Sequence, residues 1–267
     1  MTPSKYLERA GLKSGDTPIQ LSGGDMGVVW RTGSLVIKTT PHGQPEQLET
    51  EARGLVHLAQ KGGRTPAVHY VDHECLIIDY IDSASANWPD LAAQLARIHQ
   101  PFEGAYGSDE RVFIGRLPLS PTPRARDWSE FWYRGRIEPL LTLTSSTLGP
   151  LANRIRRVMD SYHPPTEGPC LLHGDLWNGN VVMGGDGAYL IDPSVWVGER
   201  SVDLAMMRLF GGFPQQFWSC YQDLYPIPAE VIASLPFHQL YFLLVHVHFF
   251  GSTYCSGVQR VVEHYGC

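Results

Sequence analysis

Asp175 and Asn180 stand five residues apart in the stretch LLHGDLWNGN (171–180), at the end of the apolar run CLL (170–172). Gly, Asn and Asp are common turn formers, but a turn needs no fixed interval between its Asp and its second Asn. That interval belongs to phosphoryl-transfer loops, where the Asp takes a proton from the attacking hydroxyl and the Asn holds a metal ion. The chemistry suggested is transfer of a phosphoryl group to an alcohol.

Such a transfer needs a cradle for nucleotide phosphates, a cation on them, metal ions to neutralise charge, and a base beside the acceptor hydroxyl. Candidates for each are present. SGGDMG supplies Gly23, Gly24 and Gly27, whose missing side chains let backbone N–H groups approach phosphate oxygens; an ordinary hairpin turn is the plainer reading of this segment alone. Lys38 in LVIKTT has apolar neighbours, and if it faces inward it requires a carboxylate or phosphate partner. The following helix offers Glu49 and Glu51, which lie on opposite borders of its apolar stripe, so periodicity does not choose between them. Asp192 closes the β-like segment YLIDPS. An Asp-Pro turn explains it singly, but a carboxylate and an amide oxygen suit Mg2+, which prefers oxygen ligands. In chain order, Lys38, a glutamate, Asp175, Asn180 and Asp192 form a set with few explanations other than phosphoryl transfer.

Elements must position these groups. IQLSGGDMGVVWRTGSLVIKTT reads as short antiparallel strands joined by tight turns. PEQLETEARGLVHLAQKGG opens on Pro, closes on Gly-Gly, and carries Leu48, Ala52, Leu55, Val56 and Ala59 at helical spacing. AVHYVDHECLIIDYI returns to strand character, with ECLIIDYI reading as buried, and WPDLAAQLARIHQ is helical. Residues 101–126, rich in Gly, Pro, Arg and Ser, read as a long loop. Helices are expected over DWSEFWYRGRIEPLLTL, GPLANRIRRVMDSYH, SVDLAMMRLFG, PQQFWSCYQDLY and LPFHQLYFLLVHVHFFGSTYCSGVQRVVEHY, with three short β segments at PCLLHGD, NVVM and AYLIDPS. The sum is an α+β fold of two lobes: a small antiparallel-sheet lobe with one helix over residues 1–81, and a larger helical lobe over 82–267.

Composition narrows the classes. The 267 residues are 43% hydrophobic and 18% charged, which suits a globular protein and not a disordered one. A net charge of −6 argues against a broadly basic nucleic-acid binder. Arg116, Arg124, Arg126, Arg134 and Arg136 fall close together; a solvated face with local ion pairs is the first expectation there, a phosphate or acidic-ligand contact the second. Five scattered cysteines with no C-x-x-C suggest neither a disulfide frame nor a zinc site. The N-terminus lacks the apolar core of a secretory signal, and LYFLLVHVHFFG is too short and too His-rich to span a bilayer. A cytoplasmic protein, a monomer with no nucleic-acid or membrane partner, is the expectation. His246 and His248, two apart on a helix, face different ways and do not suggest a metal pair. Trp177 and Trp196 read equally as cleft walls or core, and His173 as a hydrogen-bonding support of the 171–180 loop.

The segments LLHGDLWNGNVVM, LIDPSVWVGERSVDLAMMRLFGGFP and LYFLLVHVHFFGSTY resemble the fructosamine kinase (ketosamine-3-kinase) family. That family is a branch of the aminoglycoside-phosphotransferase-like kinases, which share the protein-kinase fold. The resemblance covers almost the whole chain. It implies that Asp175 is the catalytic base, that Asn180 and Asp192 hold Mg2+, and that Lys38 holds the phosphates of ATP. TEARGL matches the family's helix motif, which implies Glu51 as the partner of Lys38. IIDYI is similar to the hinge, which implies that the backbone of Asp79, Tyr80 and Ile81 meets adenine. Asp203 matches an Asp that braces the catalytic loop, and His246 a histidine near the acceptor cleft. One departure stands out: where the family carries a PQ-x-N type segment, this chain reads LPLSPTPRARDW, with Leu119 at the glutamine position. The function implied is ATP-dependent phosphorylation of the O3 hydroxyl of a ketosamine, a small-molecule or glycated-amine substrate, in protein deglycation repair. The alternatives are a kinase of another hydroxylated amine, such as an aminoglycoside, choline or homoserine, and a nucleotide-binding pseudokinase that serves as a sensor.

Overall fold

The computed structural model describes residues 2–13, 15–21, 27–40, 46–122 and 124–266. Helix α1 (Pro3–Arg9) precedes strands β1 (Ile19–Leu21), β2 (Val28–Thr32) and β3 (Leu35–Thr39); helix α2 (Gln47–Gln60) and strands β4 (Val68–Val71) and β5 (Cys75–Asp79) follow. The five strands form one antiparallel sheet in the order β1-β2-β3-β5-β4. Strand alternation divides the side chains of β3. Val36 packs with Leu48, Ala52 and Leu55 of α2, whereas Ile37 turns to the opposite face and packs with Tyr6 and Leu7 of α1. Burying each such aliphatic side chain contributes about 1.5–3 kcal/mol. Helix α1 was not expected from the sequence; seven residues beginning with Pro are too few for a periodic signal.

The buried stripe of α2 is Leu48, Glu51, Ala52, Leu55 and Leu58, whereas Val56 is 44% exposed and Ala59 also faces solvent. The helix is therefore rotated from the orientation that the apolar residues alone suggest. Glu51 lies within the stripe and Glu49 at its edge.

Beyond the sheet come α3 (Trp88–Ile98), the hairpin β6 (Val112–Ile114) and β7 (Leu117–Leu119), α4 (Trp128–Phe131), a π-helical turn (Trp132–Ile137), α5 (Glu138–Leu148) and α6 (Pro150–Ser161). The remainder is β8 (Cys170–Leu172), a 3-10 turn (Asn178–Asn180), β9 (Val181–Gly184), β10 (Gly187–Leu190), β11 (Trp196–Gly198), α7 (Ser201–Phe210), α8 (Gln215–Leu224), α9 (Ala229–Phe250) and α10 (Cys255–His264). Strand β8 pairs with β11, and β9 with β10. Residues 101–126 are thus not all loop: Ile114 and Leu117 close a hairpin over a two-residue Gly115–Arg116 turn, with Gly115 at φ +58°.

The helical run Ala229–His264 contains an 18-residue window long and apolar enough to cross a membrane, so it exceeds the short apolar stretch read from the sequence. Yet 67% of that window is buried within the protein. Helix α9 packs against α5, α7 and α10 as the centre of the largest core, together with Trp132, Trp196 and Ile155.

The arginine cluster divides. Arg124 pairs with Asp109 and Arg134 with Glu130 on the surface, as a solvated face would. Arg136 is instead fully buried, its guanidinium 4.3 Å from the centre of the Trp196 ring and 5.1 Å from that of Phe131. Burial lowers its pKa to about 10, which leaves it charged near neutral pH.

Candidate active site

Lys38 shares the face of β3 that carries Val36, so it points toward α2 and the cleft. Its Nζ donates to Glu51 Oε1 at 2.6 Å and also to Asp192 Oδ1. Burial alone pulls the lysine pKa down, but the carboxylates of Asp192 and Glu51 outweigh it and hold the ammonium above its ordinary value. Burial likewise raises Glu51, while for Asp192 the adjacent Lys38 overcomes burial and keeps the carboxyl below the usual range. The close approach of α2 is permitted by Gly54, where an added Cβ would come within 3.0 Å of Pro193.

Asp192 has φ +53°, a left-handed conformation that no other non-glycine residue adopts among the described residues. Such a conformation costs on the order of 1 kcal/mol and aims the carboxylate into the cleft.

The 173–180 loop is held from below. Asp203, on the first turn of α7 and fully buried, accepts from the N–H of His173 at 2.7 Å and of Gly174 at 2.9 Å. His99 Nε2 lies 3.2 Å from the same carboxylate, and its Nδ1 lies 2.8 Å from Tyr221 Oη. His173 Nε2–H donates to the Ile191 carbonyl at 3.0 Å, which leaves Nδ1 to accept from the Asp175 N–H at 3.3 Å. Burial lowers the His173 pKa, so the ring is a neutral support rather than a proton carrier. Gly174 turns the chain at φ +81°, where a Cβ would come within 2.8 Å of the Ser194 carbonyl carbon; only glycine fits.

Asn180 Nδ2 donates to the Asp175 backbone carbonyl at 2.8 Å and to Asp175 Oδ2 at 3.2 Å. The amide oxygen of Asn180 consequently faces away from Asp175. Burial, with the negative charge of Asp192 added, raises the Asp175 pKa to about 7 against the opposing hydrogen bond from Asn180.

Two cavities meet at Asp175. The first, about 570 Å³, has Lys38, Glu51, Asn180 and Asp192 on its walls. The second, about 680 Å³, is bounded by Arg116, Phe210, His246, Phe250 and Tyr254. Asp175, Trp177 and Gly115 line both. His246 Nδ1–H donates to the Phe242 carbonyl at 2.8 Å, and burial lowers its pKa, so the ring is neutral and keeps an acceptor nitrogen at Nε2. Trp177 is 44% exposed and stands between the cavities, whereas Trp196 is core. His248 is exposed and forms no metal cluster with His246, nor is any group of three potential ligands found among the described residues.

The structure therefore brings Lys38, Glu51, Asp175, Asn180 and Asp192 together. Gly27 lies at the rim of the first cavity, while Gly23 and Gly24 fall outside the described residues. Asp79, Tyr80 and Ile81, at the end of β5, do not line this cavity. Asp79 is tied to His69 Nε2 at 2.7 Å and accepts from the Ala67 N–H at 3.0 Å, and Tyr80 lies beneath Arg31. The 112–119 hairpin was missed as a part of the site, although its signal was present: two apolar triplets flank a Gly-Arg pair in VFIGRLPL. The aromatic wall from α7 and α9 gave no signal distinct from core periodicity.

The fructosamine kinase family model matches residues 11–265. The chain is 44% identical over 264 residues to the "Probable ketoamine kinase" of Thermus thermophilus, covering 98% of this chain and 99% of the relative. Its backbone matches the crystal structure of a "putative fructosamine-3-kinase" from Thermobifida fusca, with TM-score 0.88, 29% identity and 99% of each chain covered. The choline kinase of Streptococcus pneumoniae, 19% identical over 98% of both chains with TM-score 0.66, shares the two-lobed, protein-kinase-like fold. With the family model spanning nearly every residue, and Lys38, Glu51, Asp175, Asn180 and Asp192 gathered at one cavity, this chain belongs to the fructosamine kinase family and is a phosphotransferase.

Proposed function

We propose that this protein is an ATP- and Mg2+-dependent ketosamine kinase that phosphorylates the C3 hydroxyl of a fructosamine- or ribulosamine-type acceptor in deglycation repair. Residues 1–81 form the nucleotide-binding lobe and 82–267 the catalytic and acceptor-binding lobe. The enzyme works in the cytoplasm as a monomer on a small or glycated-amine acceptor. The observation that carries this reading is the placement of Asp175: one carboxylate with a pKa of about 7 lines both the Lys38 cavity and the aromatic cavity. A base at the junction of two cavities can take a proton from an alcohol in one while phosphate leaves a donor in the other.

The residues divide the work. Lys38, held by Glu51, puts a fixed positive charge on the donor phosphates. The sequence motif assigns Gly23, Gly24 and Gly27 to the phosphates, Gly27 lining the same cavity, and the backbone of Asp79, Tyr80 and Ile81 meets adenine. Asn180 and Asp192 fit a hard cation: an amide oxygen is turned away from its neighbours, and two carboxylates, Asp175 and Asp192, repel each other across the cleft. When bound, Mg2+ supplies charge neutralisation on the transferring phosphoryl group. Asp175 accepts the hydroxyl proton, the acceptor oxygen bonds to the γ-phosphorus, and the bond to the β–γ bridging oxygen breaks, leaving ADP. Asn180 Nδ2 holds the Asp175 carboxylate in place for that proton.

Because Asp175 must be ionised to accept a proton, kcat/KM is expected to fall about tenfold per pH unit below about 7 and to level off above it. A flat profile between pH 5.5 and 8.5, with ATP binding unchanged, would separate Asp175 from the proton transfer.

The acceptor is tested with fructosamine, ribulosamine and erythrulosamine adducts run beside choline, homoserine and an aminoglycoside, the phosphate being located by NMR. Phosphate on C3 of a ketosamine is expected. Aminoglycosides carry several ammonium groups, and the second cavity offers Asp175 as its one carboxylate among the described lining residues. Transfer to an aminoglycoside or choline and to no ketosamine moves the enzyme to that class; tight ATP binding with no transfer makes it a sensor.

A further inference from the structure

The acceptor-side cavity carries its charge unevenly. Among the described residues that line it, the one carboxyl group is that of Asp175, shared with the first cavity, and the one guanidinium is that of the exposed Arg116. His246 is neutral, and most of the remaining wall is aromatic or aliphatic. Arg116 is exposed and lines this cavity but not the one that holds Lys38, which puts it beside the acceptor.

Its position is fixed by the fold. Arg116 is the second residue of the turn between β6 and β7, whose flanking Ile114 and Leu117 are buried. The preceding residue is tied to the other lobe, since Gln47 Nε2 of α2 donates to the Gly115 carbonyl at 3.1 Å. A cation on a pinned, exposed turn that lines a largely apolar cavity can select for a charged group on whatever enters. A guanidinium has five N–H donors in a planar fork, so a contact with the protein leaves others that match a carboxylate or phosphate bidentately.

Resting on the ketosamine reading above, we infer that Arg116 selects acceptors carrying an anionic group remote from the reacting hydroxyl: the carboxylate of a ketosamine formed on an amino acid, or the phosphate of a phosphorylated sugar. The ketosamine's own ammonium then lies against the aromatic wall, where ring faces attract a cation.

The test compares kcat/KM for two matched pairs, N-fructosyl-glycine with N-fructosyl-glycinamide, and ribulosyl-propylamine 5-phosphate with its unphosphorylated form. Each is assayed with the unsubstituted enzyme, Arg116→Gln and Arg116→Glu. Because Arg116 is exposed and screened by solvent, a preference of about three- to tenfold for the anionic member of at least one pair is expected, expressed mainly in KM. The ratio should fall to about one in Arg116→Gln and invert in Arg116→Glu, and 0.5 M salt should shrink it. The pair that shows the preference identifies the anion. Ratios near one in the unsubstituted enzyme, or a preference that survives Arg116→Glu, overturn the inference while leaving the ketosamine kinase intact. Failure of every ketosamine overturns both.

Discussion

Asp175→Asn should lower kcat by roughly two or more orders of magnitude while leaving ATP affinity nearly intact, because the amide keeps the shape of the carboxylate but cannot take the proton. The same substitution should raise the melting temperature at pH 8. Burial and the charge of Asp192 raise the Asp175 pKa to about 7, so the folded protein favours the protonated acid. That preference favours folding fully below the unfolded pKa and is lost as the pH climbs toward 7. Above pH 7 the ionised form is disfavoured in the folded state, and the neutral amide removes this cost. A shift of this size corresponds to at most about 4 kcal/mol. Because the side chain borders an open cleft, about 1–2 kcal/mol is the fitting figure, which amounts to about 2–6 °C. Turnover within a few-fold of the parent means that Asp175 is not the base. A lower melting temperature means that its hydrogen bond from Asn180 outweighs the burial cost.

Chelation is the second large effect. In excess EDTA turnover should fall at least about a thousandfold, and Mg2+ or Mn2+ should restore it. The ground is the cleft itself: Asp192 is aimed inward in a left-handed backbone conformation, the Asn180 amide oxygen is turned away from Asp175, and the two carboxylates repel one another. Asp192→Asn should lose metal-dependent activity as well, and it also removes one of the two anions on Lys38. Undiminished turnover with EDTA present would remove the metal from the proposal. Full activity of Asp192→Asn with ordinary metal dependence would assign the ligand role to another oxygen.

Much of this site was legible in the sequence because its chemistry rests on residue types at fixed intervals. Asp175, Asn180 and Asp192 flank short β segments, and both the spacing and the segments appear in the structure. The choice between Glu49 and Glu51 was not legible from periodicity. It depends on how α2 rotates on the sheet, and the structure buries Glu51 beside Lys38 while leaving Val56 to solvent. Arg136 looked like its solvated neighbours because local sequence does not reveal the π-helical turn that contains it, or the tryptophan face that receives it. A three-residue strand such as β11 is shorter than any window in which alternation can be counted, and the β6–β7 hairpin was readable only through its Gly-Arg turn between apolar triplets.

The hairpin is tied to α2 by Gln47, whose Nε2 donates to the Gly115 carbonyl, and the two residues that lead into it, Glu110 and Arg111, form exposed ion pairs with Arg53 and Glu46 of the same helix and its N-terminus. Helix α2 also carries Glu51, the partner of Lys38. Any displacement of α2 would be passed through Gln47 to Gly115 and its neighbour Arg116, and so to one wall of the acceptor cavity. A coupling carried by this strap would be reciprocal: the factor by which nucleotide changed acceptor affinity would be the factor by which acceptor changed nucleotide affinity.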